Sequence, residues 1–168
     1  MLIFISGSSG SGKSLYAEQR LIELSGNDLE RVYLATSKIY DNEMKSRVAR
    51  HRLMRSGKNF ITIEKSCNLS EININHNSCI LLEDLANLTA NEIFDNNSDG
   101  GKIFNEITNI IERSRNLVLV SCEIFSDGIN YDELTENYIR TLAGLHVKLA
   151  ALADEVIEVN AGLIIRYK

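Results

Sequence analysis

The residues Gly7-Ser8-Ser9-Gly10-Ser11-Gly12-Lys13-Ser14 fit the pattern G-x-x-x-x-G-K-[ST]. Each residue type in that pattern suits phosphate chemistry. The glycines permit a tight loop whose backbone N–H groups converge on phosphate oxygens. Lys13 supplies a point charge for the outer phosphates of ATP or GTP, and Ser14 supplies a hydroxyl for Mg²⁺. A helix starting near Lys13 adds its positive end. A carboxylate from a neighbouring strand should complete the cation site. The run Ile80-Leu81-Leu82-Glu83-Asp84 has the required shape, apolar residues followed by acids. Glu83 or Asp84 could hold Mg²⁺ directly or through water. Asp84 is equally suited to cap the helix that follows.

Chemistry at this loop requires a strand before it and a helix after it. Leu2–Ser6 is a short apolar run that reads as a buried strand. Residues Lys13 to Leu24 carry apolar side chains near helical spacing, with Gly26 as a stop. Arg31–Thr36, Phe60–Glu64, Ser78–Glu83 and Asn116–Ser121 read as further strands. Asp41–Arg55, Asp84–Phe94, Lys102–Arg115 and Asp132–Ala153 read as helices, and Asp95–Gly101 as a loop. Glu155–Asn160 and Leu163–Tyr167, split by Ala161-Gly162, read as a closing hairpin. Strands alternating with helices predict an α/β fold. It is P-loop NTPase-like, with a mostly parallel sheet flanked by helices and a C-terminal β-hairpin. The 168 residues suit a single nucleotide-binding domain spanning 1–168.

Composition narrows the function classes. The formal net charge is −5, which argues against a general nucleic-acid binder while leaving room for one local phosphate site. No apolar run approaches the roughly 20 residues that cross a bilayer. The N-terminal stretch has no basic region ahead of its short apolar run, so it does not read as a secretory signal. Cys67, Cys79 and Cys122 are widely spaced and fit neither a metal site nor a redox pair. A cytoplasmic protein with reduced thiols is expected. The stretch Asp41–Arg55 holds Arg47, Arg50, His51, Arg52 and Arg55. It reads either as a salt-bridged surface helix or as a clamp for a second phosphorylated ligand.

Four stretches resemble the bifunctional adenosylcobinamide kinase / adenosylcobinamide-phosphate guanylyltransferase family of cobalamin biosynthesis. The first runs from Ile5 through Ser14 to Ala17-Glu18. The second is Val32–Ser37, then Asp41–Met44, Arg47-Val48 and His51-Arg52. The third is Ile80–Glu83 with Asn91. The fourth runs from Ala143-Gly144 through Leu149-Ala150 and Ala153–Val156 to Gly162. The resemblance implies a kinase step, from ATP or GTP to the aminopropanol hydroxyl of adenosylcobinamide. It then implies a covalent guanylyl-histidine formed from GTP, whose GMP passes to the new phosphate. By match to the motif, His51 is the candidate nucleophile. Lys13 acts in phosphoryl transfer, and Ser14 and Glu83 serve Mg²⁺. The loop residues Gly7 to Ser14 bind nucleotide together with Thr36, Ser37, Arg52, Glu64 and Glu83. The resemblance also implies nucleotide and corrinoid substrates and a homotrimer. The chain departs from the family pattern at Arg50, which precedes a single histidine, and across Cys122–Asn130. Those departures keep two alternatives open: a single-activity small-molecule kinase, and a non-catalytic nucleotide-dependent binding module.

Overall fold

Leu2 and Phe4 pack on one face of the first strand, and Ile3 and Ile5 on the other. This period-two alternation, apolar on both sides, marks a strand buried between two layers. The structure is a computed structural model that describes residues 1–38, 45, 46, 48, 49, 53, 55–125 and 128–168. Its strands are β1 (Leu2–Gly7), β2 (Glu30–Ala35), β3 (Phe60–Glu64), β4 (Ser78–Glu83), β5 (Asn116–Cys122), β6 (Glu155–Asn160) and β7 (Leu163–Arg166). They form one seven-stranded sheet in the order β3-β2-β4-β5-β1-β6-β7. Every pairing is parallel except that of β7 with β6. The α/β class, the mostly parallel sheet and the closing hairpin match the expectation.

Among the described residues, four helices with full bounds cover the sheet: α1 (Lys13–Ser25), α2 (Leu85–Asn96), α3 (Gly100–Arg113) and α4 (Glu133–Leu152). Ala17 and Leu21 of α1 close over Ile3, Ile5, Leu81 and Val118. The opposite face is covered by α2, α3 and α4 through Leu85, Leu88, Ile107, Leu142 and Leu145. Aspartates start three of the helices. Asp84 accepts a hydrogen bond from Asn87 N at 2.7 Å, Asp99 from Lys102 N at 2.8 Å, and Asp132 from Thr135 N at 3.0 Å. Each cap stabilises its helix by about 1 kcal/mol.

The stretch expected as a loop at Asp95–Gly101 is mostly helix. α2 runs on to Asn96, and α3 begins at Gly100. The Asp99 cap outweighs the low helix propensity of Gly100-Gly101, leaving a three-residue connection at 97–99. Of the expected helix Asp41–Arg55, the described residues 45, 46, 48, 49, 53 and 55 are helical. The remainder of that expectation lies outside the described residues.

A short 3₁₀ turn, Leu69–Glu71, had no clear signal in the sequence. It is pinned by buried acids: Asn68 N donates to Glu92 at 2.6 Å and Leu69 N to Glu106 at 3.2 Å. Lys102 neutralises Glu92 at 2.6 Å. Burial alone would push the Glu92 pKa up. Its hydrogen bonds from Lys102, Ser98 and Asn68 N outweigh this and hold it below the usual value.

Register fixes where the site forms. Ile5 pairs with Val120, Val120 with Glu83, Glu83 with Ala35, and Ala35 with Glu64. The carboxyl ends of β1 to β5 therefore lie along one edge. Open parallel sheets bind ligands at such an edge.

Candidate functional site

The loop between β1 and α1 depends on glycine at identifiable points. Gly10 and Gly12 have φ of +74° and +96°, in the region that favours glycine. Gly7 is needed for space: a Cβ there would lie 2.3 Å from the Val159 carbonyl oxygen. The β6–β7 turn braces the loop from outside, where Gly162 N donates to the Ser11 carbonyl at 2.9 Å. Ser8, Ser9, Gly10 and Gly12 are exposed, whereas Ser11 and Lys13 are buried. The Ser11 hydroxyl has no hydrogen-bond partner among the described residues. Lys13 Nζ curls back to donate to the Ser8 carbonyl at 3.0 Å. An orphaned hydroxyl, a buried ammonium and the N-terminus of α1 thus converge on one small loop. That combination suits an anion with several oxygens.

Ser14 starts α1 and reaches across to the end of β4. Its hydroxyl donates to Glu83 Oε1. Glu83 is 9% exposed, and its second oxygen accepts from the Tyr33 hydroxyl at 3.1 Å. The structure thus brings together the two residues expected to hold a cation. Both offer hard oxygen, as Mg²⁺ requires. Mg²⁺ commonly takes one or two protein oxygens and fills its other positions with water and phosphate. The described residues hold no cluster of three or more His, Cys, Asp or Glu side chains able to cage a metal. Asp84 instead caps α2, the alternative expected for it.

Thr36 is fully buried at the end of β2. Its hydroxyl accepts from Asp84 N at 2.7 Å and donates to the Asp84 carbonyl at 2.8 Å. Thr36 therefore clamps the Glu83-Asp84 peptide. Its neighbour Ser37 accepts from the Asn87 amide at 3.0 Å. Asn91 donates to the carbonyls of Thr36 and Ser66 at 2.8 and 3.0 Å, joining the ends of β2 and β3. These residues stiffen the edge that carries Glu83.

Glu64 ends β3 two strands away from Glu83. It lines an open groove of about 440 Å³ with Arg55, Asn59, Phe60 and Thr62. His51 and Arg52, the other residues expected at this end, lie outside the described residues.

The rest of the edge is set by β5. Glu123 N donates to the Gly7 carbonyl at 3.0 Å, fastening the start of the 122–130 segment to the phosphate loop. Its side chain accepts from Phe125 N at 2.7 Å. His146 of α4 lies behind, with Nε2 2.7 Å from the Ser121 hydroxyl. The Phe4 and Phe125 rings meet it edge-on, with centroids at 5.0 and 5.1 Å. Burial lowers the His146 pKa to about 4, with only partial opposition from Glu123.

The sequence offers Arg55 only as one of the basic residues of Asp41–Arg55 and gives Tyr33 and Lys58 no role in this region. The Arg55 guanidinium carbon lies 3.4 Å from the Tyr33 ring centroid. Glu18 of α1, 1% exposed, pairs with Lys58 at 2.6 Å and with Arg55 at 3.9 Å. In a strand pattern Tyr33 reads only as a core aromatic. No spacing rule links it to Glu18 before it and Glu83 far after it.

The protein resembles known proteins along its whole length. The family model described as "Cobinamide kinase / cobinamide phosphate guanyltransferase" matches residues 3–167. The bifunctional adenosylcobalamin biosynthesis protein CobU of Escherichia coli (strain K12) is 32% identical, and its namesake in Salmonella typhimurium (strain LT2) is 30% identical. Both alignments cover 100% of this chain and 100% of the relative. Among solved structures, the flagellar accessory protein FlaH of Methanocaldococcus jannaschii aligns over 97% of this chain and 74% of its own. Its TM-score is 0.56 at 12% identity. A second solved structure, an ATPase domain, aligns over 94% of this chain and 68% of its own, with a TM-score of 0.52 at 11% identity. These two likenesses concern the fold alone, which is that of P-loop NTPases. With the phosphate loop, its serine–glutamate pair and a full-length family match in place, the chain belongs to the cobinamide kinase / cobinamide phosphate guanyltransferase family and is a nucleotide-dependent kinase and guanylyltransferase.

Proposed function

We propose that the protein phosphorylates the aminopropanol hydroxyl of adenosylcobinamide and then guanylylates the product through His51. The observation that carries the phosphate half is the Ser14–Glu83 hydrogen bond beside the buried Lys13. In the first step the hydroxyl oxygen attacks the γ-phosphorus of ATP or GTP, the nucleoside diphosphate leaves, and the hydroxyl proton is released to solvent. Lys13 and the loop amides offset charge on the phosphates, so catalysis is mostly positioning and electrostatics. Ser14 and Glu83 would hold Mg²⁺, which supplies charge neutralisation at the phosphates. In the second step a neutral His51 nitrogen attacks the α-phosphorus of GTP, and pyrophosphate leaves. An oxygen of the corrinoid phosphate then attacks that phosphorus, and the histidine leaves unchanged.

Glu64, Arg52, Ser37 and Thr36 belong to the nucleotide side of this proposal. Support for Glu64 is its place on the same strand edge, in the groove shared with Arg55. A cytoplasmic homotrimer completes the reading. Support for assembly is the exposed apolar edge strand β7, where Leu163 is 71% and Ile164 43% exposed. Light scattering of the purified protein tests the trimer: a monomer mass at all concentrations contradicts it. The departures at Cys122–Asn130 favour one alternative, a chain that keeps the kinase step alone. Transfer of γ-labelled phosphate to adenosylcobinamide, lost in Lys13→Ala, tests the first step. Transfer that survives the substitution contradicts the assignment of Lys13.

A further inference from the structure

Tyr33 is 5% exposed and lies between two charged groups. Its hydroxyl donates to Glu83 Oε2 at 3.1 Å, while Ser14 occupies the other oxygen of that carboxylate. Its ring is covered by the Arg55 guanidinium at 3.4 Å. Arg55 is itself 6% exposed and pairs with Glu18 on α1. Both ends of the Glu83 carboxylate are therefore fixed, one by the helix that follows the phosphate loop and one by Tyr33. A cation–π contact holds the aromatic in place, and the phenol fixes the rotation of the carboxylate.

We propose that Tyr33 is a positioning residue for Glu83, held in place by Arg55, and that it sets how strongly the site gains from Mg²⁺. The proposal rests on the reading of Glu83 as a cation ligand. Partners of this kind, which orient a metal ligand without touching the metal, typically change metal affinity about tenfold or more when removed.

The test is calorimetric titration of the full chain with GDP, in EDTA and in excess Mg²⁺, for wild type, Tyr33→Phe and Glu83→Gln. Phenylalanine keeps the ring that Arg55 covers and removes only the hydroxyl. In Tyr33→Phe, GDP affinity in EDTA is expected to match wild type, and the gain on adding Mg²⁺ to fall about tenfold. A merely structural loss would weaken both titrations equally and so overturn the proposal. Glu83→Gln is expected to lose most of the gain, and Tyr33→Phe added to it to change nothing more. If Glu83→Gln loses the gain and Tyr33→Phe keeps it, the positioning role is wrong while the cation reading stands. If Glu83→Gln keeps the full gain, the cation reading itself fails, and the role of Tyr33 with it.

Discussion

Lys13 and His146 show two ways in which burial serves a residue. Lys13 is buried in the loop proposed to bind phosphate, where an ammonium would meet little competition from water. Its replacement by alanine should lower the rate of phosphoryl transfer by about 10²-fold or more, measured as turnover at saturating nucleotide. His146 is buried to stay neutral. Its pKa falls from 6.5 to about 4 through burial, only partly opposed by Glu123. Between those values the unfolded chain binds a proton that the folded chain does not. The stability His146 contributes is therefore full above pH 6.5 and is lost as pH falls toward 4. Relative to His146→Asn, the wild type should lose stability on acidification across this window, by at most about 3 kcal/mol. Urea unfolding of both proteins at several pH values measures the difference, and parallel curves would contradict it.

At the scale of elements, the phosphate loop is held by the hairpin at the far end of the chain. Gly7 lies against Val159, and Ser11 accepts from Gly162. Gly7→Ala forces a shift of β6 or of the loop. It should cost about 1–3 kcal/mol of stability and weaken nucleotide binding as well, by thermal melts with and without GTP. The hairpin turn itself can be improved. Ala161 and Gly162 have φ of +49° and +80°, the pattern of a two-residue type I′ turn. Alanine is a poor residue for that conformation and asparagine a good one. Ala161→Asn should stabilise the protein by roughly 0.5–1 kcal/mol, raising Tm by about 1–4 °C. An unchanged or lower Tm would count against this turn geometry.

These elements also show what was legible in the sequence. The eight residues Gly7–Ser14 and the apolar run ending in Glu83 stood out in the sequence because each carries its own local pattern, and the structure brings Ser14 and Glu83 together. Ala161-Gly162 located the hairpin for the same reason. The contact of that hairpin with the loop was not legible, since it joins opposite ends of the chain with no shared motif. Gly100-Gly101 read as a loop because glycine propensity is local, whereas the Asp99 cap and packing on α4 are not. The tie of Arg55 to Tyr33 and Glu83 escaped for a related reason. A surface-looking arginine at the end of a polar helix gives no sign that it will be buried.

At the scale of the whole molecule, one edge of a parallel sheet gathers the ends of five strands beside the candidate site. β1 leads into the loop, β4 brings Glu83, β2 brings Thr36 and Tyr33, β3 brings Glu64, and β5 brings Glu123. The family's description joins two chemistries, a kinase and a guanyltransferase. The central claim is that this chain performs the second through His51. The most direct measurement is incubation with α-labelled GTP and Mg²⁺, followed by denaturation and counting of protein-bound label, for wild type and His51→Ala. Acid-labile, alkali-stable label on the wild type and none on the variant is the predicted result. Absence of label on both proteins, or equal label on both, would contradict the guanylyl-histidine at His51.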